Sequence, residues 1–152
     1  LADREEVLDV GSGGGVPGIV LAVLRPDLEV SLSESTQKKA RALNDIVDQL
    51  GLNVAAHHGR AESLIEDFRF DSVVARAVGP LWKICTWFEP HWNSFTRMLL
   101  IKGPRWTAER LEARQKGLLQ NLDLRRAAEY PMAGTQSNSV ILQLSRKASC
   151  SA

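Results

Sequence analysis

The chain has 152 residues, a net charge of +1 and 44% hydrophobic content, the proportions of one globular domain with a full core over residues 1–152. No apolar run is long enough to cross a bilayer and the start does not read as a secretion signal, so a cytoplasmic protein is expected. Cys85 and Cys150 lie far apart and form no metal-ligand or redox spacing.

Strand and helix patterns alternate from end to end. Glu6–Val10 reads as a buried strand that breaks into a glycine run. Pro17–Leu24 follows as a helix, with Pro17 in the first turn, where its missing N–H costs little. Glu29–Ser33 alternates as a second strand. Thr36–Leu50 places Ala40, Leu43, Val47 and Leu50 on one helical face and stops at Gly51. Val54–His58 and Phe70–Ala75 are the third and fourth strands. A helix then runs from Leu81 to about Trp92 with Leu81, Ile84, Cys85 and Phe88 as its core stripe. Met98–Lys102 is a fifth strand, Thr107–Leu119 a charged amphipathic helix, and Leu122–Glu129 and Val140–Ser145 the last two strands. This alternation predicts an α/β sheet with crossover helices.

Charge is unevenly spread. Residues 1–75 are mainly acidic, whereas Arg97, Lys102, Arg105, Arg110, Arg114, Lys116, Arg125 and Arg126 crowd one stretch that holds only Glu109, Glu112 and Asp123. Such asymmetry fits either a nucleic-acid face or a solvated helix surface.

A strand, a glycine turn and a helix form the usual cradle for an adenosine-containing cofactor. The run VLDVGSGGGVPG carries Gly11, Gly13 and Gly15, with Val16 where a dinucleotide fingerprint needs its third glycine, and it lacks the G-K-[ST] ending of a phosphate loop. Asp9 precedes the turn. A carboxylate there repels a pyrophosphate and attracts the ammonium of a methionyl group, which favours S-adenosylmethionine. Glu34, 23 residues after Gly11, is placed to accept both ribose hydroxyls. The plainer readings are a turn cap for Asp9 and a helix-terminal charge for Glu34.

The segments VLDVGSGGGVPGI, ESTQKKARAL, GRAE, ARAV and LLIKG occur in that order. Together they resemble the RsmG (GidB) family of bacterial 16S ribosomal RNA guanine-N7 methyltransferases, over nearly all of residues 6–103. The resemblance implies a class I S-adenosylmethionine-dependent methyltransferase fold: Rossmann-like, with a seven-stranded, mostly parallel sheet whose last strand is antiparallel. It implies cofactor contacts from Asp9, Gly11, Ser12, Gly13, Gly15, Val16, Glu34, Ala61, Glu62 and Arg76, catalytic roles for Arg76 and Lys102, and a target side lined by Lys102 and Gly103. RNA contacts are expected from Lys102, Arg105, Arg110 and Arg114. The implied partner is 16S rRNA or the small ribosomal subunit, bound by a monomer. Two departures stand out. The domain is expected to lack the family's N-terminal helical segment before the first strand, and SNSVILQL stands where an Arg-His pair is usual.

N7 of guanine carries a lone pair at neutral pH and needs no general base, so positioning supplies most of the rate. Arginine usually reads guanine through O6 and N7 together. A donor on N7 would block attack, so Arg76 or Lys102 is expected at O6 or on a phosphate. Arg76 also reads as a strand-end salt-bridge partner. Trp82, Trp87 and Trp92 read as packing, and Trp106, after KGPR, is the one tryptophan placed for base contact. His57 and His58 are adjacent with no third ligand, so no metal site is expected. The rivals are a small-molecule methyltransferase, a dinucleotide oxidoreductase and a non-catalytic RNA-binding domain.

Overall fold

A computed structural model describes residues 1–148. Its elements in chain order are β1 (Glu6–Val10), α1 (Gly18–Leu24), β2 (Glu29–Glu34), α2 (Gln37–Gln49), β3 (Ala55–His58), α3 (Ala61–Asp67), β4 (Phe70–Arg76), α4 (Leu81–Phe88), β5 (Phe95–Lys102), α5 (Trp106–Gln115), β6 (Leu122–Pro131) and β7 (Asn138–Arg146). A 3₁₀ turn, Glu89–His91, follows α4. Cys150 lies outside the described residues.

The strands form one sheet in the order β3-β2-β1-β4-β5-β7-β6. β1 to β5 pair in parallel, while β7 runs antiparallel to both β5 and β6. This is the seven-stranded, mostly parallel sheet with an antiparallel last strand that the family resemblance implies. The strand order reverses between β1 and β4, and the carboxyl ends of those strands open a crevice there.

Alternation along the strands builds two cores. Val7, Val30, Leu32 and Val74 pack under Ile19 and Ala22 of α1 and Leu43 and Val47 of α2. Leu8, Val73, Ala75, Met98, Leu100 and Leu142 pack under α3, α4 and α5 on the opposite face. The predicted stripe of α4 is confirmed: Leu81, Ile84, Cys85 and Phe88 are its buried residues.

One element and several boundaries differ from expectation, among them α4, which ends at Phe88 and not near Trp92. α3 was not foreseen, because seven residues hold one apolar triplet, Ala61, Leu64 and Ile65, too short to display a period. α5 starts at Trp106 and ends at Gln115, and Gly117, at φ +75, turns the chain out of the helix. β5 begins at Phe95, ahead of the expected Met98. β6 is an edge strand of the sheet, opposite β3. Beyond Leu122 it is largely exposed, and its register slips between Arg126 and Ala128.

Candidate active site

The glycine turn is built around two buried carboxylates. Asp9 is 1% exposed and its Oδ2 accepts the Gly18 N–H at 2.9 Å, while Ser12 Oγ donates to the Asp9 carbonyl at 3.0 Å. A Cβ on Gly18 would lie 2.3 Å from Leu32 Cδ2 and 2.6 Å from Asp9 Oδ2, so only glycine allows this approach. Asp9 Oδ1 is buried with no hydrogen-bond partner. Burial pushes the Asp9 carboxyl up to about 6, against the opposing pull of the Gly18 and Ser12 hydrogen bonds and the nearby Arg76 charge. The carboxylate therefore ties the turn to the start of α1 and does not line the cleft above. Of the two readings of Asp9, the structure has the turn cap.

Glu34 does the same from β2. Its Oε2 accepts the Gly13 N–H at 3.0 Å and its Oε1 the Thr36 N–H at 2.8 Å. Burial alone would raise this carboxyl, but the Thr36 and Gly13 N–H groups outweigh it and hold the group below its ordinary value. The N–H groups of Gly13 and Gly18, which in a dinucleotide fold would face an anion, are thus already bonded to carboxylates. That arrangement opposes a diphosphate on this turn.

Above the turn lies a cleft of ≈ 370 Å³ at the carboxyl ends of β1, β2 and β4. Of the expected cofactor residues, Gly11, Ala61 and Glu62 line it, beside Gly59, Val78 and Trp87. Gly11, at φ +63, passes so close beneath that an added Cβ would sit 2.7 Å from Val78 Cγ1. Gly59 has nothing within 4 Å of its missing Cβ, so a side chain there would enter open space. Ser12, Gly13, Gly15, Asp9 and Glu34 form the floor under the cleft and not its lining, and Val16 is 36% exposed at the far end of the turn. Ser35, Gly59, Val78 and Trp87 were missed. Trp87 lies off the core stripe of α4, and that was the signal that could have flagged it.

A second, wider cleft of ≈ 930 Å³ opens between the ends of β4 and β5, α5 and the β6–β7 hairpin. Arg76, Gly103 and Arg105 line it, facing Tyr130 and Met132 of the hairpin. Arg76 is exposed and, among the described residues, has no carboxylate at salt-bridge distance, so its strand-end ion-pair reading is not what the structure has. The two clefts are divided by the loop 77–80, and Ala77, at φ +56, lines both.

Lys102 lines the second cleft beside Gly103, as expected of the target side, but it is 7% exposed, and its Nζ donates to Glu109 Oε2 at 2.8 Å and to the Gly79 carbonyl at 2.5 Å. A cation so enclosed and paired is a structural member of the wall, not a free phosphate ligand. Arg110 and Arg114 line a separate groove with Lys147 and lie outside the second cleft. Arg110 stands over the Trp106 ring at 5.6 Å, Lys83 over Trp87 at 4.9 Å and Lys116 over Trp82 at 4.9 Å, while Trp92 is buried. His57 is half-buried near Phe68 and His58 exposed. Among the described residues no cluster of three or more His, Cys, Asp or Glu forms a metal site, and no helix is long and apolar enough to cross a membrane.

The family model described as GidB, rRNA small subunit methyltransferase G, matches residues 1–135. The chain belongs to the GidB family. A GidB relative from Rhodopirellula baltica, named ribosomal RNA small subunit methyltransferase G, is 50% identical over 160 residues, covering 94% of this chain and 69% of its own length. A relative of the same name from Thermobifida fusca is 46% identical over 112 residues, 73% of this chain and 47% of its own length. The GidB chain described here thus spans from about half to about two thirds of the curated relatives it matches. Among solved structures, M. capricolum TrmK in complex with S-adenosyl-homocysteine superposes with a TM-score of 0.72 at 12% identity, covering 97% of this chain and 64% of TrmK. That likeness establishes the methyltransferase-type fold for this GidB chain.

Proposed function

We propose that this chain is the methyl-transferring part of an S-adenosylmethionine-dependent enzyme that methylates N7 of a guanosine in 16S ribosomal RNA. The observation that carries the reading is the pair of adjoining clefts. One lies over a turn whose N–H groups already bond carboxylates, and the other presents an unpaired arginine at the end of β4.

The residues fit the cofactor. Gly11 gives close backbone approach, Gly59 leaves open space, and Ala61 and Glu62 sit where an adenosine would rest at the carboxyl ends of the strands. Glu34 is a buried carboxylate with lone pairs left over from two backbone bonds, which suits ribose hydroxyls. When bound, S-adenosylmethionine supplies an electrophilic methyl group.

The chain's own work is to bind, orient and leave one lone pair bare. Arg76 holds the base at O6 or holds a neighbouring phosphate, and N7 stays free of donors. Arg105, at the rim of the second cleft, and Arg110 and Arg114, further along α5, extend positive charge away from the site. Glu109 and Glu112 on the same helix pair with Lys102 and Lys116, so the arginines remain unneutralised toward a phosphate backbone. The enzyme is proposed to act as a monomer in the cytoplasm.

Full-length protein incubated with labelled S-adenosylmethionine and 16S rRNA or small subunits tests this directly. Label recovered as N7-methylguanosine is expected. Calorimetry showing tight NAD binding and none for S-adenosylhomocysteine would overturn the cofactor assignment.

A further inference from the structure

The wall between the clefts is held from outside by a residue that no motif picks out. α4 begins after Pro80, which has no side chain able to cap it. The N–H of Leu81, which has no partner within the helix, is instead taken by Glu109 Oε2 of α5, at 2.9 Å. The same oxygen receives Lys102 Nζ at 2.8 Å, and Lys102 reaches on to the Gly79 carbonyl at 2.5 Å. One carboxylate thus fastens the loop 77–80 at its far end, directly through Leu81 and indirectly through Lys102. On the near side Val78 packs against Gly11 so tightly that a Cβ there would collide. Ala77, between these anchors, holds a left-handed φ of +56, a conformation that persists in a non-glycine residue only where its surroundings over-determine it.

We propose that Glu109 is a positioning residue: through Leu81 and Lys102 it sets the loop 77–80 that follows Arg76 and carries Ala77 between the two clefts, and so aligns methyl donor with acceptor. The inference rests on the methyltransferase reading above. Glu109 also lines the second cleft, so the rival role is direct contact with the base. The two roles separate kinetically. A misaligned donor and acceptor, displaced by about 1 Å, costs on the order of 100-fold in rate, whereas a lost base contact raises KM.

The test uses the full chain, with kinetics, S-adenosylhomocysteine calorimetry and amide hydrogen exchange. Glu109→Ala is expected to lower kcat by about 100-fold, with KM for RNA and S-adenosylhomocysteine affinity each within about threefold of wild type. Exchange should quicken at residues 78–81 and not in β1 or β2. Glu109→Gln keeps an oxygen for the Leu81 N–H and should restore both that protection and most of kcat. Lys102→Met, which frees the Gly79 carbonyl, should lower kcat without raising KM, and this variant decides the matter should Glu109→Ala lose protection across the whole sheet. The proposal falls if KM rises with kcat unchanged, or if protection at 78–81 does not respond. A wild-type protein that transfers no methyl to RNA would defeat the functional reading alone, and the exchange pattern would still decide whether Glu109 holds the wall.

Discussion

The two clefts are made in different ways. The first rests on backbone: the glycine turn beneath it has N–H groups bonded to Asp9 and Glu34, and two of its lining residues, Gly11 and Gly59, have no side chain. The second stands on side chains, with Arg76 and Arg105 on one wall and the hairpin residues Tyr130 and Met132 on the other. A site made of backbone is fixed once the strands pair, and its failures are failures of folding. A site made of free arginines folds well without them, and its failures are failures of function.

The largest effect should come from breaking the floor. Gly18→Ala forces a methyl group against Asp9 and Leu32, and a loss of at least about 3 kcal/mol in stability is expected by denaturant unfolding. Almost as large is the contribution of Asp9. Its folded-state carboxyl titrates near 6 against an ordinary 3.8, so between those values the folded chain binds the proton more tightly and stability falls as pH rises, by about 3 kcal/mol in all. Asp9→Asn should flatten that slope, measured as the difference between variant and wild type from pH 4 to pH 7. An unchanged slope would mean that the buried carboxyl titrates normally.

The other side of the contrast should behave oppositely. Arg76→Ala is expected to cut methyl transfer by about 100-fold while shifting the melting temperature by no more than about 2 °C. Parallel losses in both would erase the distinction between the clefts. Smallest is the effect of Arg110→Gln with Arg114→Gln, which should weaken RNA binding and reduce its slope against log salt by about 1.4, with little change in affinity for S-adenosylhomocysteine.

The same contrast explains what could be read from sequence. The strands, α2 and the core stripe of α4 are periodic and long enough to declare themselves, and the glycine run marks its turn without ambiguity. Asp9 and Glu34 were found as charges in register with that turn, but not the direction they face. Their oxygens go to Gly18, Gly13 and Thr36, because a buried carboxylate takes the nearest backbone donors. Lys102 was legible only in part, for a related reason. Its motif position says that it ends β5 beside the target side, and only the fold shows Glu109 arriving from the next helix to enclose it. α3 was invisible because seven residues hold one turn of apolar signal. Long-range pairing of polar groups is what a single chain's pattern does not encode.

The rim of the sheet carries one more consequence. Among the described residues, β6 leaves a row of main-chain groups on its outer side with no strand beyond it. Bare rims of this kind recruit other polypeptides and seed aggregation. Here the rim is interrupted by the slip at Arg126–Ala128, studded with Arg125, Arg126 and Glu129, and terminated by Pro131, which has no N–H to offer. These features disfavour strand-to-strand pairing of neighbouring molecules along this margin, and neutralising Arg125 and Arg126 is expected to weaken that protection, read as greater aggregation on concentration.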